Sequence, residues 1–187
     1  MKKLIMPLLL LLLLCGCGKK EEKLPEVNYT YDIVSEKVDM SAYEGVSSTS
    51  HKFRIVKVQE LFNTIDNKSS GIFYLGRTNC SCCQKVCRYL NEVAEELDQT
   101  VYYIDVYNEE DSLTEKETQD KLYAYMYEIL GTDEEGEKTL LTPQVFSVIN
   151  GEFYDSQICF DDYSLDNDTQ IEKFKDSYRH IMKPFVK

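Results

Sequence analysis

"GIFYLGRTNCSCCQKVC", residues 71–87, moves from an unbroken apolar and aromatic run between two glycines directly into four of the chain's seven cysteines. A run of that kind reads as a strand buried on both faces. Beyond it Cys83, Val86, Cys87, Leu90, Val93, Ala94 and Leu97 recur at steps of three and four, so one apolar helical face extends from about Ser81 to Asp98. "TVYYIDV", residues 100–106, is rich in β-branched and aromatic residues and predicts a second strand. Strand, helix, strand implies a parallel, right-handed crossover with the cysteines at the junction of the first strand and the helix.

Working outward, "KFRIVKV" (52–58) reads as a short strand, and "QELFNTIDN" (59–67) offers a helical turn or two with Leu61, Phe62 and Ile65 inward. Residues 31–50 are polar and mixed and read as an N-terminal extension. After an acidic stretch, "DKLYAYMYEIL" (120–130) places Leu122, Met126, Ile129 and Leu130 on one face of a helix closed by Gly131. Tyr123, Tyr125 and Tyr127 ring that helix and read as core and surface tyrosines. A loop over 131–141 leads to "TPQVFSVINGEFYDSQI" (142–158), two strands joined at Asn150-Gly151, a strong hairpin pair. "DTQIEKFKDSYRHIMK" (168–183) is an amphipathic helix capped by Asp168 or Thr169, with Ile171, Phe174, Tyr178 and Ile181 inward. The order predicts an α/β fold, a mixed sheet flanked by helices.

The 187 residues, 43% hydrophobic and 29% charged, suffice for one domain with targeting and linker sequence. The chain opens "MKKLIMPLLLLLLLCGCGKK": two lysines, a short apolar run containing Pro7, then small residues, the layout of an export signal. Leu14-Cys15-Gly16-Cys17 resembles the lipobox of bacterial lipoproteins. The resemblance implies a signal peptide over 1–16, lipidation of Cys17, a tether and N-terminal extension over 17–50, and a folded domain over 51–187. It also implies an extracytoplasmic protein held on the bacterial cell membrane by its lipid anchor. Loss of residues 1–16 removes Lys2 and Lys3 and takes the net charge from −12 to −14, which disfavours nucleic acid as a partner. Outside the cytosol disulfides persist. Five cysteines then remain, Cys80, Cys82, Cys83, Cys87 and Cys159, an odd number that cannot be fully paired within one chain.

Cys80 and Cys83 form a C-x-x-C at a helix N-terminus, where unpaired N–H groups and the positive end of the helix dipole favour a thiolate. Arg77, Lys85 and Arg88 add positive charge nearby. Cys80 is the candidate attacking sulfur and Cys83 the resolving one. Cys87, one turn after Cys83, reads as a small buried apolar residue. Cys82 projects away from that face as an exposed accessory thiol, and Cys159 is too distant in sequence to place. Two other readings stay open. The cluster could bind Cu(I) or Zn²⁺ through its thiolates, although Cys82 and Cys83 project about 100° apart on a helix. Alternatively the domain is a redox-inactive binding module. His51 and His180 form no ligand motif and read as packing or surface residues. The preferred reading requires neither metal nor cofactor.

"FYLGRTNCSCC" resembles the thioredoxin-like superfamily, in particular small thioredoxin-like lipoproteins and bacteriocin-transport accessory proteins of bacteria. Thr142-Pro143, sixty residues after Cys83, resembles the cis-proline loop of that superfamily. The resemblance covers roughly residues 51–187. It implies a thioredoxin-like sheet, a Cys80–Cys83 redox pair, and Thr142 and Pro143 as substrate-binding residues. Its implied partners are exported cysteine-containing proteins or peptides and a redox partner that the sequence does not identify. The chain departs from thioredoxins proper at two places: Asn79, not Trp, precedes the first cysteine, and Tyr74 stands where those proteins carry a buried acid.

Overall fold

A computed structural model describes residues 23–107, 115–159, 165 and 167–187. The expected signal peptide over 1–16 and the expected lipidation site, Cys17, lie outside these. The elements are β1 (Glu36–Lys37), β2 (Phe53–Ile55), α1 (Val58–Asp66), β3 (Gly71–Gly76), α2 (Ser81–Glu96), β4 (Val101–Asp105), α3 (Lys116–Met126), β5 (Gly131–Thr132), β6 (Lys138–Thr139), β7 (Gln144–Ile149), β8 (Glu152–Ile158) and α4 (Asp168–Met182), followed by a 3₁₀ turn, Lys183–Phe185. Six strands form one sheet in the order β1-β2-β4-β3-β7-β8. β2 and β3 both run parallel to β4, while β7 runs antiparallel to β3 and to β8. This mixed sheet flanked by helices is the thioredoxin-like arrangement that the resemblance implies.

All six residues of β3 are buried, because each face of the strand packs under helices. Ile72 and Tyr74 face α2 and α4 in one core layer, with Val86, Cys87, Leu90, Phe174 and Tyr178. Phe73 and Leu75 face α1 and α3 in the other, with Leu61, Phe62, Leu122 and Met126. The two-fold alternation of strand side chains therefore divides one apolar run between two cores. The β7–β8 hairpin turns at Asn150 (φ 55°) and Gly151 (φ 85°), both in the left-handed region that a two-residue turn of this twist demands.

Several boundaries differ from the sequence reading. The strand in 52–58 stops at Ile55, since Val58 already opens α1. α3 ends at Met126, and Gly131 opens a short strand instead of capping the helix. The chain turns there because the Ile129 carbonyl accepts from the Gln144 side-chain amide at 2.6 Å and the Leu130 carbonyl from Lys138 Nζ at 3.0 Å. Asn167 is the cap of α4, its side chain accepting from the Gln170 amide at 3.1 Å, where Asp168 or Thr169 was expected.

The segment before residue 51 is built into the domain. β1 pairs with β2, and Met40, Tyr43 and Val46 are buried in the α2/α4 layer. His51 links the two parts: Nε2 donates to the Val38 carbonyl at 3.0 Å and Nδ1 accepts from the Phe53 amide at 3.2 Å. Further upstream the chain is stitched to the hairpin end of the sheet. The Asn28 amide donates to Asn150 Oδ1 at 3.0 Å, and Asn150 Nδ2 donates to the Glu26 carbonyl at 2.8 Å. Among the described residues no helix is long and apolar enough to cross a membrane.

Candidate active site

β3 delivers the chain to the cysteines at its C-terminal end. Cys80 has extended dihedrals (φ −101°, ψ 123°) and caps α2 with its own side chain: Sγ accepts from the Cys83 amide at 3.3 Å. A sulfur therefore takes the place that a Ser or Asp oxygen takes at most helix starts. The Cys80 carbonyl accepts the first intrahelical bond, from Gln84, at 3.0 Å.

Opposite stands the start of β7, paired through Gln144 with Leu75. That register brings the cis peptide Thr142-Pro143 over the helix N-terminus, and the Cys80 thiol donates to the Thr142 carbonyl at 3.4 Å. Arg77, Asn79, Cys80, Ser81, Cys82, Leu141, Thr142 and Cys159 line one cleft of about 310 Å³. A neighbouring recess of about 450 Å³, walled by Tyr107, Tyr123 and Leu140, shares Arg77, Leu141 and Thr142 with it.

The two C-x-x-C thiols are electrostatically unlike. Burial pushes the Cys80 thiol up, but the Cys83 amide and thiol, Thr142 and Arg77 outweigh it, and the net direction is below the ordinary thiol range. Burial, followed by the hydrogen bond from the Cys80 side, pushes Cys83 up to about 12. Cys83 has no exposed surface whereas Cys80 keeps 9%. A thiolate therefore forms first at Cys80, on the open side of the pair. Of the three nearby cations Arg77 acts on this sulfur; Arg88 lies over the Tyr89 ring at 4.5 Å and Lys85 points to solvent.

Behind the pair is a tyrosine cluster that the sequence reading did not assemble. The Tyr43 and Tyr103 hydroxyls are 3.0 Å apart, and the Tyr74 ring stacks on Tyr103 at 5.3 Å. The Tyr74 hydroxyl lies against the Cys83 and Cys87 thiols, and it has no hydrogen-bond partner among the described residues. Cys87 is fully buried, and burial pushes its thiol well above the ordinary range.

One cysteine departs from its expected exposure and another, which the sequence could not place, joins the site. Cys82, expected as an exposed thiol, is 5% exposed: it packs in the same core layer as Cys83 and lines the cleft. Cys159 lies in the same cleft, its amide donating to the Pro143 carbonyl at 3.2 Å. Counting outward from the Asn150-Gly151 turn would have placed it there. His180 meets Asp155 at 2.7 Å and stacks on Tyr154, away from the cysteines. Among the described residues no group of three or more His, Cys, Asp or Glu is arranged to hold a metal ion.

No family model matches the chain, and no curated protein matches it. Among solved structures it is similar to thioredoxin O2 from Arabidopsis thaliana, with 17% identity over 74% of this chain and 100% of that one, at a TM-score of 0.44. It is also similar to a thioredoxin from Halobacterium salinarum, with 17% identity, 71% and 95% coverage and a TM-score of 0.41. A thioredoxin from Trypanosoma brucei brucei gives 12% identity, 74% and 98% coverage and a TM-score of 0.43.

Proposed function

We propose that this chain is a thiol–disulfide oxidoreductase, tethered to the outer face of a bacterial cell membrane and acting on cysteines of exported proteins or peptides. The observation that carries the reading is the asymmetric dithiol: a partly open Cys80 thiol held below the ordinary range, backed by a buried Cys83 thiol raised to about 12, beside the Thr142-Pro143 loop. In the reducing direction the Cys80 thiolate attacks one sulfur of a substrate disulfide and releases the other as a thiolate. Cys83, losing its proton, then attacks Cys80 Sγ and frees the second substrate sulfur. Two electrons pass to the substrate, two protons balance its thiols, and the chain is left with a Cys80–Cys83 disulfide. Oxidation of a dithiol substrate is the reverse.

Thr142 and Pro143 hold the extended backbone of the substrate across the cleft, and Arg77 supports the Cys80 thiolate. Lipidated Cys17 is the anchor, and a separate redox partner resets the dithiol. Work on a bacteriocin or a similar exported peptide is the narrower form of the reading, resting on the resemblance of "FYLGRTNCSCC".

Mass spectrometry of the purified chain, with and without a thiol reductant, tests the central step. A Cys83→Ser variant should accumulate mixed disulfides at Cys80. A Cys80–Cys83 pair that stays a dithiol across glutathione buffers would end the reading, and about one Zn or Cu per chain, lost in Cys82→Ser, would replace it with metal binding.

A further inference from the structure

Cys82 and Cys159 are not used by the proposed reaction, yet they share a cleft with its nucleophile. Both are 5% exposed, and both line the 310 Å³ recess into which Cys80 opens. They arrive from elements far apart in sequence, Cys82 from the first turn of α2 and Cys159 from the end of β8. One loop touches Cys80 and Cys159 in turn: the Thr142 carbonyl accepts from the Cys80 thiol at 3.4 Å, and the next carbonyl, of Pro143, accepts from the Cys159 amide at 3.2 Å, while Cys82 lines the same cleft two residues after Cys80. Burial alone would be served by any small apolar side chain. Two thiols converging on the cleft of a third have a further chemical consequence, since thiolates exchange with disulfides within reach.

We infer that Cys82 and Cys159 form a second redox pair, which exchanges with the Cys80–Cys83 disulfide inside one chain. This rests on the proposed oxidoreductase reading for its oxidant. The Cys159 thiol loses its proton and attacks Cys80 Sγ of the oxidised Cys80–Cys83 pair; a Cys80–Cys159 bond forms and Cys83 leaves as a thiolate that takes up a proton. The Cys82 thiol then loses its proton and attacks Cys159 Sγ, releasing Cys80 as a thiolate. One disulfide has been made and one broken, with no electron gained or lost by the chain. Renewed oxidation of Cys80 and Cys83 leaves two disulfides, so the chain stores four electrons per cycle where a lone C-x-x-C stores two. Cys87, buried behind Cys83, is the odd thiol of the five.

The test is disulfide mapping of the chain in glutathione buffers, with acid quenching, alkylation and peptide mass spectrometry. In a Cys80→Ser/Cys83→Ser variant the peptide spanning residues 78–85 keeps Cys82 as its one cysteine, so a link to the Cys159 peptide is unambiguous. That link is expected, and it should form about ten-fold faster in the unaltered chain, where the Cys80–Cys83 route is open. A Cys159→Ser variant should lose the link while its Cys80–Cys83 pair still oxidises, which also shows that the fold is intact. Recovery of Cys82 and Cys159 as alkylated thiols, under conditions that oxidise Cys80–Cys83, overturns the second pair and leaves the proposed function standing. A Cys82–Cys159 link beside a Cys80–Cys83 pair that never oxidises refutes the exchange, and with it the proposed function. Equal rates of link formation in both forms refute the exchange as well.

Discussion

Replacing Tyr74 by Phe removes a hydroxyl that is fully buried and has no hydrogen-bond partner among the described residues. A buried hydroxyl left unsatisfied costs about 1–3 kcal/mol. Its ring is retained by the substitution, so the stack on Tyr103 at 5.3 Å and the contact with Phe53 at 5.9 Å survive. Reduced Tyr74→Phe protein should therefore be more stable by about 2 kcal/mol, which for a domain of this size is a rise of roughly 4–8 °C in Tm. The same change should slow the chemistry. Unpartnered while Cys83 is a thiol, the hydroxyl can donate to the Cys83 thiolate once it forms, which favours that state against burial, and a hydrogen bond to a charged group is worth about 1.5–3 kcal/mol. Closure of the Cys80–Cys83 disulfide should fall by about ten-fold or more. Thermal unfolding by circular dichroism in excess reductant reads the first effect, and quenched-flow alkylation after mixing with a glutathione mixed disulfide reads the second. A lower Tm together with an unchanged closure rate would refute both halves of the reasoning.

Arg77→Ala should raise the Cys80 pKa and cut its alkylation rate by iodoacetamide at pH 7 several-fold, with the rate recovering at alkaline pH as the thiolate is restored. Chemical denaturation of the reduced chain should show stability falling as pH rises from about 8.5 toward 10, below the range in which the buried Tyr43, Tyr74 and Tyr103 add to the slope. The folded chain keeps the Cys83 proton up to about 12 and holds that of Cys87 still more tightly, while unfolded thiols lose theirs near pH 8.5, so the folded state binds more protons. Two such thiols give a slope that rises to about 2.7 kcal/mol per pH unit near pH 9.5, which Cys83→Ser should halve. Gly151→Ala should cost about 2 kcal/mol or more in urea titration, because the backbone is at φ +85° and the added Cβ would meet the Ile65 carbonyl oxygen at 2.6 Å. Gly76→Ala should disturb the dithiol along with the fold, since its Cβ would fall 2.3 Å from the Tyr74 ring; disulfide closure should slow in parallel with the loss of Tm.

What the sequence made legible was what local chemistry determines. "GIFYLG" has no polar residue to turn toward water, which commits it to the sheet centre, and Asn150-Gly151 admits few conformations other than a tight hairpin. The C-x-x-C at a strand–helix junction positioned Cys80 and Cys83 because a helix start presents its amides to whatever precedes it. The rest depended on partners remote in sequence. Cys82 is buried beside a cleft that it lines together with Leu141 and Cys159, residues remote in sequence, and helical projection cannot reveal that. Met40, Tyr43 and Val46 lie in an irregular segment with no period to detect, yet they close one side of the α2/α4 layer. Ile129 and Leu130 continue the apolar rhythm of α3, but their carbonyls are taken by Gln144 and Lys138 and the helix is already over.

The stitching of Glu26 and Asn28 to Asn150 also fixes where anything N-terminal to the domain must attach. Asn150 belongs to the hairpin end of the sheet, beside Gly71, whereas Cys80 follows Gly76 at the other end. β3 alone separates these poles by about 17 Å, five residue steps at roughly 3.3 Å each. Under the proposed reading, anything that precedes Glu26 therefore joins the domain at the pole opposite the dithiol, and the Cys80 cleft stays clear of that attachment point.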